Sequence, residues 1–278
     1  MASVVAASTW SSTTITCGRA AVEAARAGAA VVVNDLGVSP GGESTDETPA
    51  EQVAREIADL GGRAVVNTDD VASWASAAKI AQCAMDHFGR IDGVVNNAGI
   101  LRDTIFHKMS VVDFDHVIDV NLRGPFYVSR AAAPFMKEQG SGAFVHMTSS
   151  SALIGNLGQA NYMAAKMGVV GLSTAISLDM ERFGVVSNCI APFAWTRMVG
   201  TIPTETPEQQ KRVEGLKRMV PERIAPLAVA LMSDQARQSV NGQIFGVRNN
   251  EIYFFSKTRP IQIMHTAEGW TPESVLDR

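Results

Sequence analysis

The sequence predicts an α/β chain folded as a single doubly wound parallel sheet with helices on both faces. Three observations carry that expectation. Short β-branched apolar runs alternate with longer helical patterns along the whole length, which is the signature of βαβ units. The runs are apolar throughout, as strands covered on both faces must be. With 46% hydrophobic and 19% charged residues over 278 positions, the chain has the apolar material for one large domain spanning residues 1–278.

A strand over Ser3–Ala7 leads to a helix through Ala20–Ala27 and then to strand Ala29–Asn34. The stretch 37–48, GVSPGGESTDET, is a loop by composition. Helix Pro49–Leu60 stops at Gly61 and Gly62 before strand Ala64–Asn67, because glycine readily takes the left-handed conformation that ends a helix. Helix Ala72–Phe88 precedes strand Gly93–Asn96, helix Val112–Gln139 precedes strand Ala143–Thr148, and helix Ala160–Phe183 precedes strand Val185–Ile190. Right-handed crossovers throughout place ligands at the carboxyl ends of the strands, so chemistry is sought just after each strand.

Lys plus Arg number 24 against 28 Asp plus Glu, a net charge of −4. That excludes polycation-driven binding to nucleic acid. No stretch reaches the roughly 20 uninterrupted apolar residues of a membrane span. Met1 to Thr16 lacks the basic n-region of an ordinary signal peptide. Asp277 and Arg278 are no peroxisomal SKL-type ending, so a soluble, cytoplasmic protein with no membrane partner is expected. Cys17, Cys83 and Cys189 are far apart without CxxC spacing. They read as buried small hydrophobes rather than metal ligands or a disulfide framework.

The strongest candidate chemistry lies at Tyr162 and Lys166, four apart in NYMAAK and so on one face of a helix. A cation one turn away stabilises a phenolate, which is what a tyrosine needs to act as acid or base. A hydroxyl-rich strand end, Thr148 to Ser151, precedes them, and Ser149 could fix a substrate oxygen. Their companions are VVNNAG over Val94–Gly99, Asn121 in NLRG, Ser149 placed 13 residues before Tyr162, and Asp35 closing VVVNDLG.

Together these motifs resemble the short-chain dehydrogenase/reductase family, over essentially the whole chain from Val4 onward. The phrases NNAGILRD, GNLGQANYMAAKMGVVGL, IAPFAWTRM and GQIFGVRNNEIYFFS bring it nearest to the hydroxyacyl-CoA dehydrogenase branch, as in peroxisomal multifunctional enzymes and their bacterial relatives. The resemblance implies a Rossmann-type domain that interconverts a hydrophobic secondary alcohol and ketone, or an acyl thioester of the 3-hydroxyacyl-CoA type. It implies that Tyr162 exchanges the proton, Lys166 lowers its pKa and holds the nicotinamide ribose, Ser149 orients the substrate oxygen and Asn121 holds a proton-relay water. For the cofactor, it assigns Asp35 to the adenosine ribose, Asp70 and Val71 to adenine, Asn97 and Gly99 to the adenosine side, and Ile190 and Thr196 to the nicotinamide. The Asp35 carboxylate would repel a 2′-phosphate, so NAD is favoured over NADP. Without the resemblance, Asp35 reads equally as an Asx turn before Gly37. Where the family usually has glycine after Pro192, this chain has Phe193.

One departure is large. The family's TGxxxGxG pattern falls on STWSSTTIT, residues 8–16, with Thr9 and Ile15 in register but Trp10, Thr14 and Thr16 where glycines are expected. Glycine there permits a tight turn and close approach to a pyrophosphate, which Cβ atoms hinder. Three readings stay open: a rebuilt loop that binds NAD with reduced affinity, a cofactor-free and catalytically silent subunit of the same fold, or a segment before about Gly18 that does not represent the ancestral one. A lyase or epimerase using the same tyrosine is a further alternative.

The resemblance implies that segment 197–220 forms a lid over the substrate pocket, and PEQQKRVEGLKRM over Pro207–Met219 reads as an amphipathic helix. Its Lys211, Arg212, Lys217 and Arg218 could meet CoA phosphates or simply face solvent. Ile100, Leu153, Ile154, Leu157 and Phe193 flank the catalytic residues and suit a hydrophobic substrate. Small residues in the helices 112–139 and 160–183 permit close helix packing, and in the family these helices build a dimer or tetramer. Within the tail 248–278, the apolar IYFF over Ile252–Phe255 is expected to bury against the core or a neighbour.

Overall fold

The computed structural model describes residues 3–8, 14–37, 48–193, 206, 220–267 and 269–276, with side chains from Gly18 onward except that of Pro221. The expected lid helix 207–219, Thr196 and the loop 9–13 lie outside the described residues. One sheet carries the strands in the order β3-β2-β1-β4-β5-β6-β7-β8. The strands are β1 Ser3–Ser8, β2 Ala30–Asp35, β3 Arg63–Asn67, β4 Gly93–Asn96, β5 Gly142–Met147, β6 Val185–Phe193, β7 Ile244–Arg248 and β8 Glu251–Phe255. The order reverses between β1 and β4, so the carboxyl edge there forms the crevice that such sheets use for ligands.

Strands β1 to β7 run parallel, as expected, and β8 is antiparallel to β7. That last pairing corrects the all-parallel expectation. Asn249 and Asn250 make a two-residue hairpin, and Asn249 takes φ 54°, a conformation asparagine tolerates. The apolar tail is accordingly an edge strand. Phe254 packs against the buried Phe245 with tilted rings and centroids 4.8 Å apart, yet it is 75% exposed, and Ile252 is exposed too. Burial of IYFF is therefore only partial.

Helices α1 Thr14–Arg26, α2 Pro49–Asp59, α3 Trp74–Phe88, α4 Val111–Ile118, α5 Gly124–Gln139, α6 Ser150–Ile154 and α7 Ala160–Asp179 cover the two faces. Val31, Val33, Val145 and Ile190 pack with Ala21, Ala24 and Met232 on one side. Val32, Val94 and Phe144 pack with Ile80, Val128 and Met136 on the other. Consecutive strand residues thus feed opposite layers, which is why the runs had to be apolar throughout. Helix α1 starts six residues before its expected Ala20. Gly18 within it lets α2 approach, since a Cβ there would sit 2.8 Å from Val53. Helix α2 starts at the expected Pro49 and opens on a capping box between Thr48 and Glu51.

The single helix expected over Val112–Gln139 is in fact two, joined by a π turn at Asp119–Arg123. Pro125 has no N–H for the carbonyl of Asn121 four residues earlier, so the regular ladder cannot pass this point. The expected 160–183 helix ends at Asp179, followed by a 3₁₀ turn and Gly184 at φ 68°. Helix α6 was not expected; the Ser149 side chain caps it by accepting from Ser151 N–H. No helix among the described residues is long and apolar enough to cross a membrane.

Candidate active site

The π turn turns Asn121 into the interior, where it is fully buried. Its Oδ1 accepts from Ile100 N–H at 2.8 Å and its Nδ2 donates to Ile100 O at 3.0 Å. That pair of bonds fixes the loop after β4. Gly99, just before, is where a Cβ would lie 3.5 Å from both Asn121 Oδ1 and Lys166 Nζ. Lys166 is 2% exposed, donates from Nζ to Met147 O at 2.9 Å, and lies 5.8 Å from the Tyr162 ring centre. Thr148 Oγ1 donates to the Lys166 carbonyl at 2.7 Å, tying α7 to the end of β5. Ser149 lies close enough to the Tyr162 hydroxyl to favour its ionised form. The four expected catalytic side chains and Gly99 therefore share one site at the carboxyl edge.

The remaining expected residues lie along the same edge with differing access. Asp35 is 1% exposed and accepts from Gly37 N–H at 2.8 Å, so the Asx turn weighed from sequence is present. Asp70 accepts from Ala72 N–H at 2.8 Å and also serves a turn. Val71 is buried against Gly124 at the start of α5. Asn97 is buried, and Ile190 is fully buried in the layer beneath α1, its carbonyl accepting from Thr148 N–H.

A nicotinamide dinucleotide needs a carboxylate near its adenosine, small residues where it crosses the sheet edge, and a cation near the nicotinamide ribose. Asp35, Gly99 and Lys166 fit that requirement at both ends of the crevice. Asn34 Oδ1, beside Asp35, is moreover a buried acceptor without a hydrogen-bond partner. The backbone of α1 begins at Thr14, so Thr14 and Thr16 belong to its first turn. A helix N-terminus at this place offers N–H groups to phosphate. Trp10 falls outside the described residues.

Burial governs the electrostatics. Tyr162 keeps part of its surface exposed, but its desolvated phenol is pushed up to about 12; Asp103 adds to the rise and the Ser149 side chain opposes it. Burial pulls Lys166 down to about 8. The expected lowering of the tyrosine does not occur in this structure, because desolvation sets the direction of its shift. At neutral pH the site holds a protonated phenol beside an ammonium, which is the pairing required to deliver a proton.

Sequence reasoning missed a buried polar group behind this site. Asn96 Nδ2 donates to Ser129 Oγ at 2.9 Å and lies 3.2 Å from His146 Nδ1. His146 is fully buried, and its Nε2 has no hydrogen-bond partner. Burial and the nearby Lys166 pull it down to about 3. The signal was present, since a histidine interrupts the apolar strand AFVHM. Between pH 6.5 and 3 the unfolded chain binds a proton here that the folded chain refuses, so stability falls as pH drops, by about 1.4 kcal/mol per pH unit. In urea unfolding at pH 6.5 and 5, His146→Asn is expected to lose about 2 kcal/mol less than the parent; equal losses would contradict the assignment.

A family model described as enoyl-(acyl carrier protein) reductase matches residues 17–248. Peroxisomal multifunctional enzyme type 2 of Mus musculus is 40% identical over 263 residues, which are 94% of this chain and 34% of that protein. The chain thus spans about a third of that relative's length. The hydroxyacyl-CoA dehydrogenase ChsB1 of Mycobacterium tuberculosis is 33% identical over 266 residues, 92% of this chain and 81% of the relative. A solved short chain dehydrogenase from Mycobacterium avium superposes with a TM-score of 0.84 at 34% identity, covering 99% of this chain and 91% of that one. Nothing in these likenesses supports the catalytically silent alternative.

Proposed function

Because the chain belongs to the short-chain dehydrogenase/reductase family, oxidoreductases that act on hydroxyl groups, we propose that it interconverts a hydrophobic secondary alcohol and its ketone using NAD, with a 3-hydroxyacyl-CoA thioester as the substrate type. The observation that carries this reading is the convergence of Asn121, Ser149, Tyr162 and Lys166 beside Gly99, with Asn121 and Lys166 buried. Bound NAD would accept the hydride from the alcohol carbon. Tyr162 exchanges the proton with the substrate oxygen, and Ser149 holds that oxygen in line. Lys166 presents its ammonium to the nicotinamide ribose and supports the phenolate once it forms. Asn121 keeps the loop carrying Gly99 and Ile100 in place, and is the residue suited to hold a relay water.

The hydrophobic substrate is supported by the surface beside the site. Ile154, Leu157 and Phe106 are all largely exposed, and apolar side chains left in water around a polar centre mark a binding region. A relative matched over most of its length, a hydroxyacyl-CoA dehydrogenase, supports the thioester. The mostly apolar groove between α5 and α7, lined by Phe126, Leu172, Ile176 and Met180, supports the expected homo-oligomer.

Turnover of a 3-oxoacyl-CoA with loss of NADH absorbance tests the function, and no turnover across chain lengths would refute it. Cofactor choice has its own test, in isothermal titration with NAD and NADP. We expect NAD to bind the more tightly. Asp35→Asn keeps an acceptor for Gly37 N–H but removes the charge, so the preference should shrink roughly tenfold. An unchanged ratio would show that Asp35 does not select the nucleotide.

A further inference from the structure

The loop after β4 is stitched to the start of α7 by hydrogen bonds that the roles above do not use. Thr104 N–H donates to Gly158 O at 2.8 Å. Gln159 Nε2 donates to Asp103 Oδ2 at 2.8 Å, while its Oε1 accepts from Asn156 Nδ2 at 2.9 Å. Asn161 Nδ2 donates to Arg102 O at 3.0 Å, and its Oδ1 accepts from the backbone N–H of Tyr162 at 2.7 Å. Asn161 is fully buried and Gln159 nearly so.

The N–H of Tyr162 belongs to the first turn of α7, where helix geometry supplies no acceptor. Gln159 occupies the N-cap position but makes no capping bond, since its amide is engaged by Asp103 and Asn156. Asn161 takes over that task from inside the helix, and with its other end grips the loop. The far end of the same loop is held by Asn121 through Ile100. A continuous path therefore runs from Asn121 through Ile100, Arg102 and Asn161 to Tyr162.

We infer that Asn161 is a positioning residue that sets the catalytic tyrosine at a fixed distance from Asn121, with the segment Ile100–Thr104 as the spacer. Without it, a part-buried carbonyl and a part-buried N–H lose their partner together, and the first turn of α7 is free to shift against the loop. This inference rests on the proposed dehydrogenase activity, in which Tyr162 and Asn121 act on the same substrate.

Asn161→Ala is expected to lower kcat for 3-oxoacyl-CoA reduction about tenfold to a hundredfold, with the KM for NADH within about twofold of the parent. Asn161→Asp retains the acceptor for Tyr162 N–H and regains a donor toward Arg102 O only when protonated. Its activity relative to the parent should therefore rise as pH is lowered from 8 toward 6. Asp103, Arg102, Tyr162 and Lys166 are the charged or titratable groups around it, so Asn161→Ser, which adds no charge, is measured alongside and should give a flat ratio over the same range. Amide exchange read on peptides covering 100–105 and 158–163 should be faster in Asn161→Ala, with β5 and β6 unchanged. A flat ratio for the aspartate variant, or parental exchange in the alanine variant, would overturn the inference. Should the parent protein reduce no 3-oxoacyl thioester, the proposed function fails while the exchange result still decides the role of Asn161. Should the alanine variant not fold, Asn161→Ser, which keeps a hydroxyl acceptor, takes its place in both measurements.

Discussion

Replacing Tyr162 by phenylalanine is expected to lower turnover by roughly 10²- to 10⁴-fold, the range that a positioned proton donor contributes, while the protein stays folded. The phenol sits beside Ser149 and near the Lys166 ammonium, so a carbonyl oxygen placed against Ser149 meets an O–H at hydrogen-bonding range. Its ordinary range raised to about 12 by burial means that the proton is present at any working pH. Reduction of a ketone can therefore use the group as it stands. Oxidation of an alcohol must first remove that proton, so its rate should climb with pH into the alkaline range. Phenylalanine keeps the aromatic ring and removes the hydroxyl alone, so thermal unfolding should move little. Turnover within tenfold of the parent would exclude Tyr162 as the proton donor.

The second large effect concerns Lys166, where activity and stability should part. Its Nζ is buried and donates to Met147 O, and burial lowers it to about 8 from an ordinary 10.5. Below pH 8 both folded and unfolded chains carry the charge, and folding bears the full cost of burying it. Between 8 and 10.5 the folded chain has released the proton while the unfolded chain still holds it, so stability rises with pH. Above 10.5 the difference is gone. Lys166→Met should consequently lose turnover severely and yet unfold at higher urea at pH 7, by an amount on the order of 3 kcal/mol. That advantage should shrink as pH is raised through this window. A variant less stable than the parent at pH 7 would show that the ammonium's hydrogen bond outweighs its desolvation. A site group that costs stability is what a functional constraint looks like when set against packing.

Much of this was legible from residue order. The spacing of Tyr162 and Lys166 is a helical period, and a period survives any tertiary environment, so their shared face could be read directly. The apolar strands could be read because a strand buried on both sides admits few other residues. Less legible was the break at Pro125: periodicity carries smoothly through it, and only the missing N–H opens the π turn that aims Asn121 inward. The buried His146 and Asn161 were missed for a related reason. A single polar residue in an apolar or helical run signals nothing until its partners, Asn96 for one and Arg102 for the other, arrive from distant segments.

By itself the sequence determined the layered α/β architecture, the order of its strands as far as β6 and, through the motifs it shares with the family, which four groups were expected to meet at the site. These depend on local periods and on which residues can tolerate burial, and both are properties of the chain. Tertiary structure alone decided the antiparallel last strand, the split of one helix into two, and the protonation of the site. Those depend on which groups lose water and which find partners across long separations, quantities set only when the sheet edge, the loop after β4 and α7 close around one another.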